Sequence, residues 1–407
     1  MIRTAGTRAR RLWLCAAATS LLALPAAAQT GGVQAANVQS QFGDVIANQA
    51  LHVEEASDGV AGEATAVGNQ AAASGGGDLA LTSTQRLGPV YVGANPVTTV
   101  DGSAGALATT TASAAGNAGA VSVDGGYVSG TTGQTVDPGA IVSANGFTHL
   151  GALSGTLAAD AAAVGDTQSW QIADGTLSAT SVQAQGGRVA ADSGASSLGG
   201  LTDEASHTAS AVSNQVSVEA EGSSIALTAN QAMTGETTHA AVFGYALGAD
   251  DGQAQAASTG NAVSVSGDDS ADIYAAQDNR GAVEAQSDLK LNSWNTAASD
   301  AYGVGNSVLV SNAGPVSIGV DQFQGGPVSA AASFTGYGGG DASTTATATG
   351  NEVSVATAGG VGGFANQETR GAVSATATLS PGAADSASAT VRATGNSAVF
   401  QVTGSSR

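Results

Sequence analysis

The residues that most often carry chemistry in a protein of this size are few here and poorly arranged for it. The four histidines, His52, His149, His207 and His239, stand at unrelated spacings, and no two have the separation of zinc ligands. The single cysteine, Cys15, lies in an N-terminal apolar stretch after Leu14, without the small preceding residue that a lipid-anchor cysteine needs. No Gly-x-Ser-x-Gly elbow offers a serine nucleophile. Asp250-Asp251 and Asp268-Asp269 sit beside glycines, like fragments of a calcium-binding β-roll, but do not recur at nine-residue spacing and read as solvated acidic turns. Arg188, Arg280 and Arg370 recur near one repeat position and read as part of the repeat. Trp170 and Trp294 have the apolar faces that stack on sugars, yet their repeat offsets differ, which reads as two isolated surface or cap aromatics. Nothing in these spacings calls for a cofactor or metal, and the chain is read as non-enzymatic.

The polar residues that do recur are amides. A run of alternating small residues, then Gly-Asn, then alternating valines, places the Asn position at Asn69, Asn117, Asp166, Asn214, Asn261, Asn306, Asn351 and Asn396. The intervals are 48, 49, 48, 47, 45, 45 and 45 residues. Asp166 is a conservative variant, and Ser213 replaces the glycine before Asn214. A glutamine follows 16 or 17 residues later, at Gln85, Gln134, Gln183, Gln231, Gln277, Gln322 and Gln367. Such internal repetition marks a solenoid.

Within the repeat the period is two, as in Ala342, Thr344, Ala346 and Ala348 set against Ser343, Thr345, Thr347 and Thr349. That pattern predicts half-buried strands, and helical stripes are absent. Gly-Asn admits two readings. It can be a hairpin turn, since both residues tolerate positive φ. It can also be one element of a parallel stack, where Asn and Gln form ladders and each buried amide is satisfied by the identical neighbour above and below. Glycines 21 and 24 residues apart, at Gly260, Gly281, Gly305, Gly326, Gly350, Gly371 and Gly395, divide each repeat in two. The expectation is an all-β parallel β-helix or β-solenoid of about 45-residue units with two coils per unit. Fifteen or sixteen coils would make a rod on the order of 70–80 Å at ~4.8 Å per coil.

Composition fits a thin, tightly stacked interior. Aromatics are 4%, and Ala and Val far outnumber Leu, Ile and Phe. Arg3, Arg8, Arg10 and Arg11, an apolar stretch from Leu12 to Leu24 and Ala26-Ala27-Ala28 read as an export signal over residues 1–28. The mature chain then holds 7 basic against 32 acidic residues, so nucleic acid and anionic lipid are poor partners. It has no cysteine, so disulfides cannot hold it together. Residues 29–60 break the spacing but carry motif fragments (Asn37, Asn48-Gln49), which predicts an atypical N-terminal cap before the solenoid of 61–407. The alternating run Ala398-Val399-Phe400-Gln401-Val402 would leave an open edge at the other end, a template for a homo-multimer.

An exported, cysteine-free, acidic, Ala/Gly-rich chain with Gly-Asn and Gln-x-x-x-Gly-x-Val repeats resembles the HfaD family of holdfast-anchoring proteins of stalked alphaproteobacteria. The resemblance implies a cell-surface protein, associated with the outer membrane, that helps to fix a polar polysaccharide adhesin, the holdfast, to the envelope. Its partners would be the holdfast polysaccharide and other envelope anchor proteins. Two other readings stand beside this one. The spaced amides are similar in physics to curli-type fibre subunits, and a solenoid enzyme acting on polysaccharide would instead concentrate unusual polar residues in a few coils.

Overall fold

A computed structural model describes residues 32–152, 155–199 and 202–403. The expected signal at 1–28 and Cys15 lie outside the described residues. Every described element is a β-strand, and every strand pairing is parallel. Among the described residues no helix is long and apolar enough to cross a membrane.

The chain winds as eight stacked coils. The first holds β1 (Val33–Gln41), β2 (Val45–Val53) and β3 (Val60–Gly76). The second and third are formed by β4 (Leu79–Leu87), β5 (Tyr91–Ser103), β6 (Leu107–Val136), β7 (Ile141–Ala152) and the first part of β8 (Thr156–Gln185). The fourth runs through the rest of β8, β9 (Arg188–Ser197) and β10 (Thr202–Glu221). The fifth is β11 (Ser224–Met233) with β12 (Thr237–Gly267), and the sixth β13 (Ala271–Asn279) with β14 (Ala282–Asn312). The seventh is β15 (Val316–Gln324) with β16 (Val328–Thr357). The last holds β17 (Val361–Thr369), β18 (Val373–Pro381) and β19 (Ala384–Val402).

The register corrects the expected coil size. Ile273 pairs with Ile318, Val283 with Val328, and Asn306 with Asn351, each one whole repeat away. One turn of the solenoid therefore consumes 45 residues here, not 21 to 24. The two half-repeats lie in the same coil as an outward and a returning path, so there are half as many coils as expected. At ~4.8 Å per coil the stack is on the order of 35–40 Å long. Within residues 29–60, expected as an atypical cap, β1 and β2 pair in register with the next coil: Asn37 pairs with Ser83 and Asn48 with Asn95.

Each coil is a flattened loop with two walls. In the sixth, residues 271–279 and 282–291 form one wall, and 296–304 and 306–312 return along the other. Two interiors result. Val283, Ala285, Leu289, Ala297 and Ala301 belong to one buried cluster. Ile273, Ala275, Val308 and Val310 belong to a second. A smaller third cluster, including Val100, Leu150 and Leu157, fills one end of the early coils. Small side chains suit walls this close, and each inward methyl lies on its equivalent in the next coil.

Both tryptophans of the repeat region are inside, which corrects their reading as surface aromatics: Trp170 is 0% exposed and Trp294 5%. Glycines make room for them. A Cβ on Gly130 would overlap the Trp170 ring, and one on Gly336 or Gly339 the Trp294 ring. Trp294 also packs edge-on against Phe334, with centroids 4.9 Å apart. Their irregular repeat offsets follow from this pairing of one large ring with a bare backbone.

Candidate functional site

The two interiors meet at a waist, and the recurring amides sit there. Along β14 the inward positions are odd-numbered from Ala297 to Gly305 and even-numbered from Asn306 onward. The alternation changes phase at Gly-Asn, and Gly305 has no ladder partner between Val304 and Asn306. The glycine does not serve a left-handed turn, since neither Gly305 nor Gly350 has a positive φ. It serves close approach. A Cβ on Gly305 would overlap Gln324 across the waist and stand 2.5 Å from the Gly350 carbonyl. Gly260 meets Asn279, Gly165 meets Gln185 and Gly350 meets Thr369 in the same manner. The turn reading of Gly-Asn gives way to a packing one.

Asn69, Asn117, Asn214, Asn306 and Asn351 each donate both across the waist and along the stack. Asn306 Nδ2 donates across the waist to the Phe323 carbonyl at 2.9 Å and along the stack to Asn351 Oδ1 at 2.8 Å. A carbonyl can only accept, which fixes the orientation of the amide. Asn69 donates to Asn117 at 2.7 Å, Asn214 to Asn261 at 2.7 Å, Asn261 to Asn306 at 2.8 Å, and Asn351 to Asn396 at 2.8 Å. From Asn117 to Asn351 these side chains are fully buried.

The glutamines form a second row. Gln322 Nε2 donates to Gln277 Oε1 at 2.7 Å and to the Glu352 carbonyl of the facing wall at 3.0 Å. Gln134, Gln183, Gln231, Gln277 and Gln367 each donate to the glutamine of the preceding coil at 2.8 Å. Gln85 donates to Gln39 at 3.0 Å, so Gln39, 46 residues earlier and within the repeat spacing, belongs to the row although sequence reasoning left it out. A shorter row that sequence reasoning missed joins Asn145 to Asn95 at 2.7 Å and Asn95 to Asn48 at 3.0 Å. Its signal was the near-constant offset of 47 and 50 residues.

Asp166 interrupts the Asn row. Asn117 donates to its Oδ1 at 2.7 Å, but its Oδ2 is buried without a partner, and so is Oδ1 of Asn214, its neighbour in the register. Burial pushes the Asp166 carboxyl up to about 8, with the bond from Asn117 acting the other way. The neutral acid is therefore the resident form at pH 7, and a proton on Oδ2 can do what an amide hydrogen does in other coils.

The histidines do not converge. His207 is buried and its Nδ1 lacks a partner; desolvation lowers its pKa to about 4. His52 lies 3.3 Å from Asp101, His149 2.9 Å from Ser196, and His239 between Asp192 at 3.7 Å and Glu284 at 3.5 Å. Among the described residues no group of three or more His, Cys, Asp or Glu is placed to hold a metal ion. Asp250 and Asp251 lie within β12 and not in a turn. Arg280 and Arg370 both approach Phe323.

The sequence model of the family described as holdfast attachment protein D matches residues 54–327. No curated protein and no solved structure matches the chain.

Proposed function

The chain belongs to the holdfast attachment protein D family, which implies a holdfast attachment role at the cell surface or envelope, and on that footing we propose that it is an exported structural anchor. In this reading residues 1–28 direct export, and the stack of 61–407 with its end coil is displayed at the outer membrane. There it helps to fix the polar polysaccharide adhesin, together with other envelope anchor proteins. The observation that carries the reading is the even distribution of the buried polar side chains. One Gln and one Asn per coil, with Asp166 in place of Asn in the third, bind coil to coil, and most of them also bind wall to wall, as a rigid scaffold requires and a catalyst does not. The acidic surface disfavours nucleic acid as a partner.

Self-assembly belongs to the same reading, supported by the state of the two ends. Val38 is 81% and Phe42 64% exposed in the first coil, and Val399 53% and Phe400 42% in the last. Asn donors point toward the C-terminal end and Gln donors toward the N-terminal end. A second copy stacked head to tail would continue both rows, Asn396 donating to the next Asn69 and the next Gln39 donating to Gln367. Head-to-head contact would set like groups against each other.

The test is cellular. A deletion strain should shed its adhesin into the medium, and the tagged protein should fractionate with the outer membrane. Adhesin retained at wild-type levels, or a tagged protein confined to the cytoplasm, would overturn the anchor reading.

A further inference from the structure

The outward face of β13, β15 and β17 departs from the small-residue pattern of the repeat. A shallow groove of ≈ 450 Å³ crosses it, lined in part by Ala276, Asp278, Asp321, Phe323 and Glu368. Tyr274 and Phe364 stand beside it, 40% and 54% exposed, two coils apart in one column with Gly319 between them. A Cβ on Gly319 would lie 3.1 Å from the Tyr274 ring and 3.2 Å from the Phe364 ring, so both rings lean over bare backbone.

Tyr274, Asp321 and the residues around Phe323 are held before any ligand arrives. The Tyr274 hydroxyl donates to Asp321 at 2.9 Å. Phe323 lies between two guanidinium groups, Arg280 at 5.9 Å and Arg370 at 5.6 Å from its ring centroid. Each arginine is tied to a carboxylate of its own coil, Arg280 to Asp278 at 2.9 Å and Arg370 to Glu368. A fixed ring and a fixed acceptor remove part of the ordering cost of binding.

The chemistry selects a ligand class. Apolar ring faces beside hydrogen-bond acceptors suit a pyranose, which has an apolar C–H face and a rim of hydroxyl donors. Both arginines are already neutralised, Asp321 has no cationic partner, and the mature chain carries 7 basic against 32 acidic residues. A polyanion is repelled by such a face. We propose that this groove is a glycan-binding site for a polysaccharide strand of neutral or positively charged sugars, with Tyr274 and Phe364 as stacking platforms and Asp321 as the principal acceptor. The proposal rests on the reading that the ligand of this anchor is a polysaccharide.

The test is calorimetric titration of the purified protein with three probes: a cello-oligosaccharide (neutral), a glucosamine oligomer (cationic) and an oligogalacturonate (anionic). The neutral or the cationic probe should bind and the anionic one should not. Tyr274→Ala with Phe364→Ala should weaken binding at least tenfold, and Asp321→Asn should weaken the cationic probe more than the neutral one. Leu309→Ala, an exposed change on the opposite wall, should leave binding unaltered. A wild-type protein that binds no probe or prefers the anionic one, or folded groove variants that bind as wild type, would overturn the proposal. If the double variant fails to fold, Asp321→Asn decides alone. Adhesin shedding separates the two readings: groove variants that bind normally while a deletion strain still sheds refute the site and leave the anchor role standing.

Discussion

Asn306 and Gln322 face each other across the waist of the solenoid and donate their amide hydrogens in opposite directions along it, Asn306 to Asn351 and Gln322 to Gln277. Each also bonds a backbone carbonyl of the opposite wall, so every coil is cross-linked to itself and to its neighbour. The two rows of amide dipoles oppose one another, which avoids a net dipole along a dry interior.

Asn306→Leu should destabilise the stack far more than Ser307→Ala on the same coil. Leucine leaves the Phe323 carbonyl and the Asn351 amide oxygen without their donor, at a cost of about 1–3 kcal/mol. Melting temperatures of the two variants, compared with wild type, are the readout; equal values would show that the row contributes nothing.

Gly305→Ala tests the packing role of the glycine. Its new methyl would overlap Gln324 and crowd the Gly350 carbonyl, an overpacking cost of roughly 1–3 kcal/mol. Gly133→Ala, where a Cβ meets nothing within 4 Å, should be neutral or slightly stabilising. Denaturant titration of both variants checks the contrast.

Stability should depend on pH through two buried groups. Asp166 titrates at about 8 when folded against 3.8 for a free carboxyl, so between these values the folded chain holds a proton that the unfolded chain releases, and stability falls as pH rises. His207 titrates at about 4 when folded against 6.5, so stability rises with pH in that window. The two oppose each other from pH 4 to 6.5; above 6.5 the His207 contribution is complete and that of Asp166 continues to fall, in the same direction as the burial-raised Asp160, Asp192 and Asp300. The melting temperature should therefore decline from pH 6.5 to 8, and Asp166→Asn should reduce that decline. A wild-type curve flat across this range would show that Asp166 is not protonated in the folded protein.

End-to-end stacking is tested at Gly395, where a Cβ meets nothing in a single copy but would meet the next coil of a stacked one. Gly395→Ala, and separately Val399→Lys with Val402→Pro, should run as monomers by light scattering while wild type grows with concentration. A wild type that stays monomeric at every concentration, or a Gly395→Ala that assembles equally well, would refute the head-to-tail interface.

Much of the architecture was legible in the amino-acid sequence, because a stacked fold repeats its environment and so repeats its residues. Equal intervals between Asn261, Asn306 and Asn351 place them in one column, since coils in register must consume equal lengths of chain. Period-two runs of Ala, Thr and Val determined strands, and the lack of larger apolar residues determined closely spaced walls. Tertiary structure alone decided the coil size. Glycines 21 and 24 residues apart mark either a full turn or the two halves of one turn, and only the pairing of residue with residue tells these apart. It also decided the places of Trp170 and Trp294, because the glycines that accommodate them are neighbours in space and not in the chain. The opposed polarity of the amide rows was settled there too. A side-chain amide turns to whatever carbonyl faces it, and the facing wall is 17 to 30 residues away along the chain.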